Sequence, residues 1–214
     1  KGASKFFFNR TQKKGIVIPN PVIPNETKRE IDKVDNDLFC VGRFIKGKDH
    51  FTIFKALAIL KQSGYNLILH VYGDGPLKNE YLNLLNELDI LENVKFEGNV
   101  SNIKNHIKNH KIYILTSLYE GMPNSLIECM SLGIPCIATN CQFGPSEIIE
   151  NGFNGILIDV GSVEQLAKAI IKLYNDSKYC TTIGKNALNV NETLSIDSIG
   201  LKWVNYLNRV IKKG

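Results

Sequence analysis

From residue 38 onward the chain alternates short apolar runs with longer amphipathic ones. LFCVGR (38–43), NLILHVYG (66–73), NVKFEG (93–98), KIYILT (111–116), IPCIAT (134–139) and GILID (155–159) are rich in β-branched, aromatic and aliphatic residues. Each predicts a strand. Between them, HFTIFKALAILKQSG (50–64) sets Ile53, Phe54, Leu57, Ala58 and Leu60 near helical spacing and stops on Gly64. LKNEYLNLLNELDI (77–90), NIKNHIKNH (102–110), PNSLIECMSLG (123–133), the short SEIIENG (146–152) and SVEQLAKAIIKLYND (162–176) predict further helices. Pro123 suits a first helical position and Ser162 a helix start. Two more helical stretches, roughly 178–190 and 196–212, finish the chain.

Short strands alternating with helices form right-handed βαβ units on a parallel sheet. The expected fold class is α/β: a single Rossmann-like doubly wound parallel sheet of about six strands. Ligands of such sheets bind outside the carboxyl ends of the strands, so the residues just after each strand are the candidates. Residues 1–37 differ. GIVIPNPVIPN holds a short apolar strand at Ile16 to Ile18 and then Pro19, Pro21 and Pro24, which read as an extended connector. DKVDND marks a polar surface turn. Residues 38–192 carry the sheet, and 193–214 a terminal helix.

Composition narrows the classes. With 214 residues, 43% hydrophobic and 22% charged, the chain can bury one sizeable core. The net charge of +5 fits either a mildly basic surface or a basic cleft for an anionic ligand or membrane face. No dense Lys/Arg run with interleaved aromatics points to nucleic acid. The five cysteines, Cys40, Cys129, Cys136, Cys141 and Cys180, lack C-x-x-C spacing and sit among apolar residues. They read as reduced, partly buried thiols. No stretch reaches the roughly 18 apolar residues of a spanning helix, and the first residues are too short and polar for a signal peptide. His70 reads as a core or edge residue, and His106 and His110 as surface. None shows metal spacing with acids.

The chemistry-bearing residues do follow strands. After the first, Gly42 closes the run and Arg43 and Lys48 follow in a turn: a pyrophosphate grip or a pair of solvated cations. After the second, Gly73 and Gly75 bracket Asp74, a tight turn or a place where a ligand meets backbone. After the third, Gly98 and Val100 present backbone groups that can meet a flat base. After the fourth comes EGMPNSLIECM (120–130), in which Glu120 and Glu128 enclose seven residues. A helix starting near Pro123 offers free amides and a positive dipole end, a seat for phosphate, with Gly121 removing bulk beside it. Glu120 reads either as a ligand-facing acid or as an exposed loop acid. Glu128, inside an apolar run, needs hydroxyl groups of a ligand or a structural cation partner. After the fifth strand, Gly144 and Pro145 turn the chain and Ser146 caps a helix carrying Glu147.

Taken in order, G42-R43-x4-K48, G73-D74-G75-P76-L77, E120-G121-M122-P123-N124-S125-L126-I127-E128 and G144-P145-S146-E147-I148-I149 with N151-G152-x-N154-G155 resemble the C-terminal domain of a family 4 retaining glycosyltransferase of the GT-B fold. The resemblance spans about residues 15 to 212. It implies that Glu120, Arg43 and Lys48 serve catalysis, with Arg43 and Lys48 on the donor diphosphate and Glu120 facing the transferred sugar. It implies donor binding by Gly42, Gly73, Val100, Gly121, Met122, Ser125, Leu126 and Glu128, the last on the ribose hydroxyls. No metal and no cofactor are implied. The donor is a nucleotide sugar, with a UDP-sugar favoured by GPSEII. The acceptor is a polysaccharide, lipid-linked or other glycan, met through a second domain. Residues 1–37 would then be the remnant of that N-terminal domain and the connector, and 193–214 a helix crossing toward it. Such an isolated domain is expected to transfer nothing alone, and to work in the cytoplasm or at the inner face of the membrane, with peripheral membrane association. A nucleotide-binding module without catalysis is the alternative, and a GT-B nucleotide-sugar epimerase a more distant one.

Overall fold

The computed structural model describes residues 16–23 and 35–211. Six strands form one parallel sheet: β1 (Leu38–Val41), β2 (Leu69–Tyr72), β3 (Val94–Gly98), β4 (Ile112–Leu115), β5 (Cys136–Thr139) and β6 (Ile156–Ile158), in the order β3-β2-β1-β4-β5-β6. The helices are α1 (His50–Gln62), α2 (Lys78–Glu87), α3 (Ile103–Ile107), α4 (Asn124–Ser131), α5 (Val163–Asn175), α6 (Ser177–Ala187), α7 (Val190–Thr193) and α8 (Ile196–Ile211).

Every residue of β2, β4 and β5 is buried. That is why these strands are continuous apolar runs rather than alternating ones: both faces of the sheet are covered. On one face Leu38, Cys40, Leu69, Val71, Ile112, Ile114, Ile137 and Ile158 pack with residues of α1, α2, α5 and α6. On the other, Phe39, Tyr72, Tyr113, Leu115, Cys136 and Ala138 pack with Ile107 of α3 and with Leu126, Cys129 and Met130 of α4. All five cysteines are buried.

The order runs outward in both directions from the β1–β4 pair, which is the topological switch point of a doubly wound sheet. The helices that follow β1 and β4 pack on opposite faces of the sheet, the arrangement that sets a crevice outside the carboxyl ends of the strands. The sequence therefore predicts the sheet and its strand number.

Several local expectations shift. Ile16 to Ile18 form no strand; residues 16–23 have no regular structure apart from Val22, which makes a single parallel bridge to Ser195. Proline without an amide at 19 and 21 accounts for the missing ladder. Residues 1–15 and 24–34, including Pro24 and the first half of DKVDND, lie outside the described residues. Pro123 is the cap of α4 rather than its first residue, with ψ 79°. Ser146 caps nothing: Pro145–Glu147 is a single 3-10 turn capped by Gly144, whose φ of 91° suits glycine. Ser162 does cap α5, accepting a hydrogen bond from the Gln165 amide. No helix among the described residues is long and apolar enough to cross a membrane.

Candidate functional site

The loop after β1 is tightened by a 3-10 turn, Lys46–Lys48, and the loop after β4 crosses it. The Leu118 amide donates to the Gly47 carbonyl at 2.9 Å. The Thr116 hydroxyl donates to the carbonyls of Lys48 (3.1 Å) and Asp49 (2.9 Å). A side chain at Gly47 would collide with Tyr119, whose hydroxyl lies 2.6 Å from where a Cβ would stand. These contacts fix two segments some seventy residues apart in one frame, and the charged groups follow from it.

Lys48 Nζ donates to Glu120 Oε1 at 2.5 Å, and the Ser117 hydroxyl donates to the same oxygen at 2.7 Å. The Glu120 side chain is only 9% exposed, against 27% for Lys48. Glu120 is therefore not an exposed loop acid. It is a nearly buried carboxylate stabilised by a cation and a hydroxyl, as burial of charge requires. The Ser117 hydroxyl is steered from below, because its own carbonyl accepts from Thr139 of β5 at 2.6 Å. Beside Glu120 the surface opens: Gly121 is exposed, and no atom lies within 4 Å of where its Cβ would be. Across that opening Gly144 packs so closely that a Cβ would sit 3.1 Å from Glu120 Cβ, the Gly121 carbonyl and Pro123 Cδ. The loop after β5 thus backs the loop after β4.

The glycines after β1 and β2 serve close backbone approach. Gly73 has φ 133°, and a Cβ there would lie 2.1 Å from the Gly42 carbonyl oxygen. The Gly42 amide bonds the Tyr72 carbonyl, and the Gly73 amide the Gly98 carbonyl. Arg43 is exposed at the mouth of the crevice, and among the described residues it forms no ion pair. Lys48 is in one, with Glu120, so the pair is not simply two solvated cations.

The start of α4 has no capping side chain, which leaves its first-turn amides, those of Ser125 and Leu126 among them, facing outward with the positive end of the helix dipole. Leu126 is fully buried and anchors this turn, Met122 is half-buried, and the Ser125 hydroxyl is engaged with Tyr113 at 2.8 Å. Glu128 projects from the edge of α4 into a cleft lined by Asn20, Val22, Ile23, Lys104, Asn124 and Ile127. It is half-buried, and no cation pairs with it among the described residues. Asn20 donates to Asn124 at 3.2 Å, and Lys104 Nζ to the Ile23 carbonyl at 3.1 Å, so residues 20–23 wall the cleft. Val100 is half-buried nearby, packed on the core under α3 and α4.

The structure thus brings Lys48, Glu120, Gly121 and the start of α4 together, sets Arg43 at the rim, and puts Glu128 and Val100 further along α4 and the β3 loop. Sequence reading missed Ser117, Thr116 and Thr139, and the cleft residues Asn20 and Lys104. Thr116, Thr139, Asn20 and Lys104 find partners far away in sequence, and Ser117 reaches Glu120 three residues on, within a loop that carries no regular spacing. It also misjudged His110, which is buried, not surface: it follows α3 and turns inward onto Phe39 and His70. Burial and the neighbouring His70 lower its pKa to about 4. His50, also buried, bonds the Tyr81 hydroxyl at 3.2 Å. Burial and then Lys48 lower its pKa to about 4, so it is a neutral structural imidazole. Burial raises the pKa of the Cys141 thiol, which keeps it from acting as a thiolate.

A cation and a carboxylate beside an open glycine and an uncapped helix start can receive an anion on one side and hydroxyl groups on the other. Comparison with known proteins gives this geometry a context. The sequence model for "Glycosyl transferases group 1" matches residues 23–190. The poly(ribitol-phosphate) alpha-N-acetylglucosaminyltransferase of Staphylococcus aureus is 31% identical over 169 residues, 78% of this chain and 34% of that protein. An N-acetylgalactosamine-N,N'-diacetylbacillosaminyl-diphospho-undecaprenol 4-alpha-N-acetylgalactosaminyltransferase of Campylobacter jejuni is 27% identical over 80% of this chain and 47% of its own length. Among solved structures, a variant of S. aureus TarM in complex with fondaparinux, alpha-GlcNAc-glycerol and UDP superposes with a TM-score of 0.74 at 27% identity, covering 90% of this chain and 38% of that one. The chain spans about a third to a half of the length of these relatives.

Proposed function

The chain belongs to the group 1 glycosyl transferases, and from that premise we propose that it is the nucleotide-sugar-binding half of a retaining, metal-independent glycosyltransferase of family 4. The donor is a UDP-sugar carrying a hexose or N-acetylhexosamine. The observation that carries the reading is the Lys48–Glu120–Ser117 cluster at the β1–β4 switch point, beside the uncapped start of α4.

In this reading Lys48 and Arg43 face the diphosphate, helped by the amides near Gly121, Met122, Ser125 and Leu126. Two cations and a helix dipole offset the charge that grows on the departing UDP, so no metal ion is required for that step. Glu120, held by Ser117, faces a hydroxyl of the transferred sugar near its reacting carbon. Glu128 accepts from the ribose hydroxyls, Val100 seats the base, and Gly42 and Gly73 let the donor approach backbone. The bond from the anomeric carbon to the phosphate oxygen breaks, and a bond to the acceptor oxygen forms on the same face. The acceptor's proton passes to the leaving phosphate oxygen. The alpha linkages named for two relatives and the UDP bound to a third support a UDP donor and retention. The acceptor, a polysaccharide or lipid-linked glycan at the inner face of the membrane, is met by a second domain. The exposed apolar residues of α8, Leu201, Trp203, Val204 and Leu207, support a contact with such a domain. The 214-residue chain alone binds donor and transfers nothing.

A thermal-shift panel of UDP-, GDP- and ADP-sugars tests the reading. Stabilisation by UDP-sugars supports it. Stabilisation by GDP-sugars alone overturns the donor assignment, and sustained transfer by this chain overturns the division of labour.

A further inference from the structure

The amino ends of the strands hold a second polar cluster, unrelated to the loops above. Asp37 immediately precedes β1, His70 is the second residue of β2, and His110 lies just ahead of β4. These residues are 33 and 40 positions apart, so no local metal-binding spacing is present. The parallel sheet brings them together, because β2, β1 and β4 are neighbours and the Lys111 amide donates to the Asp37 carbonyl at 2.9 Å.

The geometry is that of a ligand set. One ligand atom from each of Asp37, His70 and His110 lies within 4.8 Å of the others. His70 Nε2 is 3.0 Å from Asp37 Oδ2, and the two imidazole rings stand 4.3 Å apart at 32°. Around a tetrahedral zinc ion with bonds of about 2.0–2.1 Å, ligand atoms are about 3.3 Å apart, so modest side-chain movement closes the cluster on a metal. One nitrogen of each imidazole also meets an oxygen outside the trio. His70 Nδ1 meets Glu97 Oε1 at 2.7 Å, and His110 Nε2 meets the Tyr72 hydroxyl at 2.8 Å. A carboxylate or hydroxyl behind each imidazole is what orients metal-ligating histidines. The two carboxylates, Asp37 and Glu97, balance a divalent charge. Asp37 is 24% exposed, which leaves a solvent-facing position for a water ligand.

We propose that Asp37, His70 and His110 form a structural site for zinc or a similar borderline divalent cation, which staples the beginnings of β1, β2 and β4 at the end of the sheet opposite the crevice. The ligand set of two imidazoles and one carboxylate suits zinc, cobalt(II) or nickel(II) rather than magnesium.

The test uses the full chain after treatment with a chelator. Zinc should bind one equivalent and raise Tm by about 5–10 °C at a concentration about a hundredfold above Kd, while magnesium should not. Asp37→Ala should weaken zinc binding at least about tenfold. Should that variant fail to fold, the isosteric Asp37→Asn should weaken it in the same direction. His106→Ala, at an exposed histidine outside the ligand set, should bind as wild type does. Cobalt(II) should give visible bands of a low-symmetry N/O site with no thiolate charge transfer. Absence of a zinc-dependent rise in wild type, an unchanged affinity in both Asp37 variants, or thiolate bands would each overturn the proposal.

Discussion

The two ends of one sheet solve the same problem differently. At the carboxyl ends, a lysine and a glutamate seventy-two residues apart meet because two loops are laced by backbone bonds and glycines that allow close crossing. The loops stay open on the outside, around Gly121 and Arg43. At the amino ends, a histidine lies between two carboxylates, stacked on a second histidine and covered by the aromatic core. One end leaves charge and amides facing outward; the other turns its polar groups on one another. An open arrangement can exchange internal partners for a ligand, whereas a closed one is suited to holding strands in register.

The comparison can be broken by substitution. The largest effect is expected at Gly73, where φ of 133° and a 2.1 Å approach to the Gly42 carbonyl leave no room for a Cβ. Gly73→Ala should cost about 3–5 kcal/mol, measured by denaturant unfolding, since backbone at both positions must move. A cost under about 1 kcal/mol would mean the loops are not locked by this crossing.

Next is a contrast between histidines. His50 is buried at the crevice end with a pKa near 4, below its usual 6.5. A base whose folded pKa is depressed stabilises the fold fully above about pH 6.5, and that contribution is lost as pH falls toward 4. The window should span about 3 kcal/mol, seen as a fall in unfolding free energy between pH 6.5 and 4. His50→Gln should reduce that slope, leaving the share that His110 contributes with its own pKa near 4. An unchanged slope would shift the source of acid sensitivity elsewhere.

Lys48→Ala comes third. It leaves the Glu120 carboxylate nearly buried with only Ser117 as support, at about 1–3 kcal/mol. Glu128→Ala is expected to be smallest in stability, within about 0.5 kcal/mol, because the side chain sits at a cleft edge with no cation partner among the described residues. Its nucleotide affinity should nevertheless drop at least about tenfold. A large loss of stability with unchanged affinity would make Glu128 structural.

How much of this was legible in the sequence divides along the same line. The strands were readable because burial on both faces removes polar alternation, as in β2, β4 and β5. The loops at the carboxyl ends could be placed because Gly42, Arg43, Lys48, Gly73 and Glu120 lie within a few residues of strand ends, where local spacing carries information, whereas Glu128 lies further on, inside α4. What Glu120 bonds to was not, since Lys48 reaches it only once the loops cross and Ser117 only through the fold of its own loop. Likewise His110 read as surface among Lys and Asn neighbours, because its inward turn is set by Phe39 and His70, which no helical pattern on 102–110 reveals. The misplacement of Pro123 by one residue is a matter of its ψ of 79°, which holds it outside the helix it introduces.

The central claim is that the crevice at the β1–β4 switch point is a nucleotide site. Calorimetric titration of UDP into the wild-type chain, Arg43→Ala and Glu128→Ala tests it most directly. The account predicts one UDP bound by wild type and affinity lowered at least about tenfold in each variant. UDP that fails to bind, or that binds both variants as tightly as wild type, would contradict it.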